Sequence, residues 1–254
     1  MKKLLIQTAG CSPSSGYVRA HLEAQGISVT DTPSAEVTHL LLDVPSFEAG
    51  GKLRGGGDLK MLLHGLPENV SICGGGLDLG SLKEYNTVDL LKDPDYLANN
   101  AYITAEAALN IALPRLPCLL RDSKALILGW GRIGNCLAQL LKSMDATVIV
   151  AARNGHDRSI LRALGYDAVD IPDLENILPN CRIVFNTVPQ MLLPESSIKL
   201  CRGDCVKIDL ASQPGMAGPG VIVARGLPGL HKPESSGKLI VKTLLRLIGK
   251  EITP

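Results

Sequence analysis

The sequence predicts an α/β protein with a Rossmann NAD(P)-binding domain and a smaller flavodoxin-like N-terminal α/β domain. Three observations lead there. Strand-like and helix-like segments alternate along the chain, as in a mainly parallel sheet covered by helices on both faces. A Gly129-Trp130-Gly131-Arg132-Ile133-Gly134 turn joins a buried-strand run, Lys124–Leu128, to a helix-like run, with a second strand over Ala146–Ala151. The length of 254 residues, with 45% hydrophobic and 20% charged residues, suits one large or two smaller compact domains.

The elements follow in order. Lys3–Gln7 reads as a strand. Ser15–Gln25 reads as an amphipathic helix with Val18 and Leu22 on one face, stopped by Gly26. Ile27–Thr30 and Val37–Asp43 are strands, Asp58–His64 a short helix, and Val70–Cys73 a strand running into Gly74-Gly75-Gly76. Glycines 55–57 read as a surface loop. Glycines 74–76 follow a strand end, where an open α/β sheet binds ligands. Thr104–Leu113 is expected as a linking helix, with Thr104 at its cap and Glu106 in its first turn. Later strands fall near 167–169, 182–186, 206–209 and 221–224, and a last helix over Ser235–Ile248. The expected organisation is an N-terminal substrate-side domain (1–100), a linking helix (101–117), a Rossmann domain (118–233), and a C-terminal helical segment (234–254) that folds back on the first domain.

Composition narrows the function classes. A net charge of +1 gives no electrostatic case for nucleic acid or an anionic membrane. No apolar run approaches the roughly 20 residues of a membrane helix. The apolar stretch near the start, Leu4-Leu5-Ile6, is too short for a signal peptide. The seven cysteines are scattered without a zinc-ligand spacing, so the expectation is a reduced, cytoplasmic protein with no metal.

The glycine turn carries the functional argument. Gly129 permits a tight turn, Gly131 lets the backbone approach a pyrophosphate, and Gly134 lets helix and strand pack closely. Arg132 and Ile133 open the helix, whose first N–H groups face the phosphates. An NAD-preferring site usually carries Asp or Glu at the end of the second strand, bonded to the ribose 2′-OH. This chain has Ala151-Ala152-Arg153-Asn154 there. A guanidinium would hold a 2′-phosphate with charge-assisted bonds, so the cofactor expected is NADP rather than NAD, with Arg153 on the phosphate and Ala152, Asn154 and Arg158 beside it. The other reading of Arg153 is a solvated loop residue. Asn186-Thr187-Val188-Pro189, Asp209-Leu210-Ala211-Ser212 and Gly226-Leu227-Pro228-Gly229 follow three later strands. They are expected to ring the ribose and nicotinamide through Thr187, Val188, Pro189, Asp209, Leu210 and Pro228, although each alone could be turn chemistry.

These motifs resemble the A-subunit family of dipicolinate synthase. The likeness runs from about Tyr96 to Lys250. It rests on Gly-Trp-Gly-Arg-Ile-Gly (129–134), Val-Ala-Ala-Arg-Asn (150–154), Asn-Thr-Val-Pro (186–189), Asp-Leu-Ala-Ser-Gln-Pro-Gly (209–215) and Gly-Leu-Pro-Gly (226–229). Pro233-Glu-Ser-Ser-Gly237 matches the family's Pro-x-Thr-Ala-Gly, with Ser235 for Thr, and Thr104-Ala105-Glu106 matches its Thr-x-Glu. The resemblance implies an NADP-linked oxidoreductase of sporulation that acts on a small cyclic dicarboxylate of the lysine pathway. It also implies a second, flavoprotein-like subunit, and a homo-oligomer is expected. The departures are a shortened first domain, Ile103 for the family's Pro, Ala107 for its Gly, and a shortened segment between Gly215 and Val221.

An anionic substrate calls for positive groups and hydrogen-bond donors. Lys232, Ser212 and Ser46 are candidates, with Gly74, Thr104 and Ser235 as further substrate-side positions. Glu106 is the candidate acid/base, its pKa lowered by the helix N-terminus, and Ser212 the second catalytic candidate. Glu106 could equally be an ordinary first-turn carboxylate. His231 is a loop His outside the family's marked positions. Two alternatives stand beside this reading. One is a 2-hydroxyacid-dehydrogenase-like enzyme, against which Gly229 stands about where the required His would fall. The other is a non-catalytic NADP(H)-binding subunit.

Overall fold

The computed structural model describes residues 3–48 and 50–249. Positions 1–2 and 250–254 of the expected outer segments lie outside the described residues. The chain forms two compact units. One takes the chain up to Asn100 together with the segment from Pro228 on, and the other is Ala101–Leu227.

The first unit contains β1 (Leu5–Thr8), α1 (Ser14–Ala24), β2 (Ser28–Thr30), β3 (His39–Leu41), α2 (Leu59–Leu63), β4 (Ser71–Gly74) and β5 (Asn86–Asp89). Its five strands pair in parallel in the order β2-β1-β3-β4-β5, a flavodoxin-like order. The two-residue period of the strands sorts the core into two layers. Ile6, Leu41 and Cys73 face Val18 and Leu22 of α1. Leu40, Leu42 and Ile72 face Val37, Leu53 and Leu82.

Helix α3 (Pro94–Ala112) begins ten residues before the expected Thr104 start. Asp93 caps it: its Oδ1 accepts the Tyr96 N–H at 2.7 Å, and Pro94 takes the first helical position, where a missing N–H does no harm. Thr104 is therefore not a cap and Glu106 is not in a first turn.

The second unit continues with β6 (Lys124–Leu128), α4 (Arg132–Ser143), β7 (Thr147–Ala151), α5 (Gly155–Ala163), β8 (Asp167–Val169), α6 (Leu174–Ile177), β9 (Ile183–Asn186), α7 (Glu195–Ile198), β10 (Val206–Asp209) and β11 (Val221–Val223). The sheet is parallel throughout, in the order β11-β10-β9-β6-β7-β8. Both faces are covered, which explains the unbroken apolar strand runs. Ala125, Ile127, Val148 and Phe185 pack against Ala105, Ala108 and Leu109 of α3 and Leu137 and Leu141 of α4. Leu126, Leu128, Ile149 and Val184 pack against Leu174, Leu178 and Ile198. The chain leaves β6 toward β7 and β8, then returns to pair β9 on the other side of β6. That switch point places the ends of β6 and β9 where an open α/β sheet binds ligands.

The last two helices, α8 (Leu227–His231) and α9 (Pro233–Leu247), end the described chain. α9 packs on α1, so closely that a Cβ at Gly237 would press on the backbone of Ser14 and Val18. Arg246 of α9 bonds the α3 cap Asp93 at 2.7 Å.

Candidate dinucleotide site

A groove of about 330 Å³ opens at the β6/β9 switch point. It is lined by Gly129 and Trp130 of the glycine turn, by Ala152, Arg153 and Asn154 after β7, and by Val188, Gln190 and Leu192 after β9.

The three glycines act differently. Gly129 has φ +99°, which only glycine adopts without strain, and a Cβ there would strike Val188 and Thr187. Gly134 faces backbone: a Cβ would collide with the carbonyl oxygen of Gly129. Gly131 has no neighbour within 4 Å of a Cβ position, so nothing in the folded chain requires glycine there. It caps α4, whose N-terminus receives no side-chain cap. Open space at Gly131 and uncapped first-turn N–H groups are what a bound pyrophosphate needs, and the residues present fit that group. Arg132 is exposed, and Ile133 packs partly into the core. The Trp130 ring meets Tyr166 at 5.9 Å between centroids, tilted by 58°, and Lys142 Nζ lies 4.5 Å over the Tyr166 ring. Burial raises the Tyr166 pKa.

At the end of β7 the expected residues divide. Arg153 is exposed and lines the groove. Asn154 caps α5, its Oδ1 accepting the His156 N–H at 2.9 Å. Arg158 does not reach toward the groove as expected: Nη1 donates to the carbonyls of Ala152 (2.7 Å) and Arg153 (2.8 Å), and Nη2 pairs with Asp170 at 3.0 Å. Its guanidinium braces the turn that carries Arg153. The sequence reading missed Asp157, in the first turn of α5, together with Ile171, Gln190 and Leu192 on the groove wall. Their only sequence signal was their position after strands β7, β8 and β9.

Thr187, Val188 and Pro189 form the turn after β9. Thr187 is tied to Leu128 through its N–H (3.0 Å) and hydroxyl (2.8 Å), and Pro189 is exposed. Asp209 and Leu210, expected as cofactor contacts, are both buried, and Asp209 has no exposed surface. The Asp209 carboxylate points inward, accepting from Asn186 Nδ2 (2.8 Å) and the Gly215 N–H (2.8 Å). It organises loops rather than presenting charge to a ligand. Ser212, in the same loop, is exposed.

The substrate-side candidates are spread over both units. In the first, Ser46 has no exposed surface: its hydroxyl donates to the Asp43 carbonyl (2.7 Å) and accepts the Gly75 N–H (2.9 Å). Gly74 is buried against it, and a Cβ there would strike the Ser46 hydroxyl. Both serve the fold, which corrects their reading as substrate positions. Pro228 is half-buried in α8, Lys232 precedes α9, and Ser235 is exposed in the first turn of α9. In the second unit, Thr104 is buried and Glu106 half-buried, both within α3. The helix-terminus argument for a lowered Glu106 pKa falls with the earlier start of α3. Among the described residues no cluster of His, Cys, Asp or Glu could hold a metal, and no helix is long and apolar enough to cross a membrane.

Comparison with known proteins agrees with this geometry. Residues 111–202 match the family described as D-isomer specific 2-hydroxyacid dehydrogenase, NAD binding domain. The dipicolinate synthase A-subunit of Bacillus subtilis (strain 168) is 25% identical over 171 residues, covering 64% of this chain and 58% of that protein. The chain's match thus spans a little over half the length of this curated relative. The crystal structure of the dipicolinate synthase A-subunit from Bacillus halodurans superposes with a TM-score of 0.83 at 18% identity, covering 99% of each chain. The crystal structure of the corresponding dipicolinate synthase polypeptide from Bacillus subtilis gives a TM-score of 0.79 at 20% identity, covering 98% of this chain and 97% of that one. The resemblance to the dipicolinate synthase A-subunit family read from the motifs is thereby borne out, as is the fold of two parallel α/β units, one Rossmann-like.

Proposed function

We propose that this chain is an NADP-dependent oxidoreductase acting on a small cyclic dicarboxylate of the lysine/dipicolinate pathway. The observation that carries the cofactor choice is Arg153: it is exposed at the end of β7, lines the groove, and stands where an NAD site would hold a carboxylate. Gly131 and the uncapped start of α4 support the pyrophosphate half of the reading.

A bound nicotinamide supplies hydride transfer. The chain's own residues bind and orient. Arg153 holds the 2′-phosphate, and Asn154 and Arg158 fix the turn that carries it. Val188 walls the groove, and Thr187 and Pro189 belong to the same turn after β9. Glu106 remains the acid/base candidate, and Ser212, Thr104, Lys232 and Ser235 the substrate-side candidates: the family resemblance marks Glu106, Thr104 and Ser235, and the needs of an anionic substrate point to Lys232 and Ser212. A second, flavoprotein-like subunit, together with homo-oligomerisation, a cytoplasmic setting and a role in sporulation, completes the proposal.

Arg153→Ala tests it. Loss of a charge-assisted phosphate contact weakens NADPH binding by about 10- to 100-fold and leaves NADH nearly unchanged. Equal weakening of both nucleotides overturns the 2′-phosphate assignment. Oxidation or reduction of lysine-pathway cyclic acids by the isolated chain separates an enzyme from a non-catalytic NADP(H)-binding subunit. Turnover of 2-hydroxyacids instead would favour the dehydrogenase reading.

A further inference from the structure

We infer that Asp209 is a positioning residue for the dinucleotide groove: from behind the sheet edge, it fixes the wall formed by Val188, Gln190 and Leu192. The inference rests on reading the groove as an NADP(H) site.

The Asp209 carboxylate is fully buried and accepts four N–H donors. Oδ1 takes Asn186 Nδ2 (2.8 Å) and the Ala211 N–H (3.2 Å), while Oδ2 takes the N–H groups of Gly215 (2.8 Å) and Met216 (3.3 Å). Two of these bonds lead on to the wall. Asn186, also fully buried, donates to the Val188 carbonyl (3.0 Å) and accepts the Val188 N–H (3.1 Å), pinning one end. The Gly215 carbonyl accepts the N–H groups of Leu192 (2.9 Å) and Leu193 (3.1 Å), pinning the other. The loops after β9 and β10 are thus tied through one carboxylate. The join leaves no slack: a Cβ at Gly215 would collide with the Asn186 amide and press on the Val188 carbonyl oxygen.

Asparagine cannot replace Asp209 here. Whichever way its amide is turned, the NH₂ faces N–H donors, either those of Asn186 and Ala211 or those of Gly215 and Met216. Flipping Asn186 to compensate would set its oxygen against the Val188 carbonyl. One end of the wall therefore comes free in Asp209→Asn, while strand β9, held by ladders on both sides, stays in place.

The test pairs amide hydrogen exchange with nucleotide titration on folded Asp209→Asn and, as a milder lesion that leaves three Asp209 bonds intact, Asn186→Ala. In Asp209→Asn, exchange accelerates by about tenfold or more at one end of the wall, at Val188 or at Leu192 and Gly215, with Ile183–Phe185 unchanged, as loss of about one buried charge-assisted bond implies. The NADPH dissociation constant rises by about tenfold or more at a temperature where the protein is fully folded. In the double variant the effect on binding is smaller than the product of the single effects, because the two residues share the bond between them. Unchanged exchange at Val188 and Leu192 in both variants overturns the assignment without reference to any ligand. So does exchange that rises uniformly with a merely lowered Tm and an unchanged NADPH constant, the mark of a purely structural residue. Wild-type protein that binds neither NADPH nor NADH overturns the functional reading instead, and the exchange result still decides whether Asp209 sets the wall.

Discussion

The two units put parallel sheets of different strand order to opposite ends. Each has a parallel sheet with loops at the C-terminal ends of its strands. In the first unit those loops are closed on themselves. Asp43 after β3 accepts the Cys11 N–H (2.8 Å) and the Ser12 hydroxyl (2.6 Å), and Ser46 links the Asp43 carbonyl to the Gly75 N–H. In the second unit the buried polar groups, Asn186 and Asp209, stand one layer back, leaving Gly131, Arg153 and Ser212 facing outward. Polar residues at strand ends are thus not equivalent evidence for a site. What matters is whether their hydrogen-bonding capacity is taken up by the chain.

The largest effect expected from breaking that contrast is at Gly134. Gly134→Ala drives a methyl group into the Gly129 carbonyl, which as backbone cannot move aside, and destabilises the protein by about 3 kcal/mol, at the upper end of overpacking. Gly131→Ala, three residues earlier, leaves the melting temperature nearly unchanged and weakens NADPH, because its methyl group occupies open space meant for phosphate. Calorimetry and nucleotide titration on the two variants read the difference. A destabilised Gly131→Ala would show that Gly131 serves the fold.

Ser46→Ala sharpens the contrast from the other unit. It removes a buried donor and leaves the Gly75 N–H without its partner, lowering stability by about 1–3 kcal/mol in denaturant unfolding. NADPH binding is unchanged. A loss of binding would mean that the first unit's strand ends are part of the site.

The smallest effect belongs to the α3 cap. Burial raises the Asp93 pKa, but the Arg246 hydrogen bond, the Tyr96 N–H and the Arg246 charge outweigh it, holding the carboxyl below its usual value. A lowered folded-state pKa means stability present above the unfolded value of about 3.9 and lost as pH falls through the folded value. Arg246→Ala should therefore lower stability at pH 7 only slightly, the Arg246 side chain being 43% exposed, and the difference should fade as pH falls through the folded-state value of Asp93. A difference that persists at low pH would assign Arg246 a packing role.

Much of this was legible in the residues. Period and punctuation placed β8 and β10 at their observed bounds, and the glycine turn located the groove. What sequence could not carry was direction and long-range pairing. The Asp209 motif marks a strand end but not that the carboxylate turns inward. Arg158 looked available because its partner, Asp170, lies twelve residues on across β8. β5, with the short half-exposed sequence Asn86–Asp89, gave too little apolar alternation to be seen. The early start of α3 was signalled by Asp93-Pro94, but the apolar run further along drew the boundary to Thr104.

Trp130 is the only tryptophan and lines the groove, so its emission reports binding directly. Titration of the wild-type protein with NADPH and NADH tests the central claim. Saturable quenching at micromolar NADPH, with much weaker NADH binding, is the predicted result. A folded protein whose Trp130 emission responds to neither nucleotide, or that prefers NADH, would contradict it.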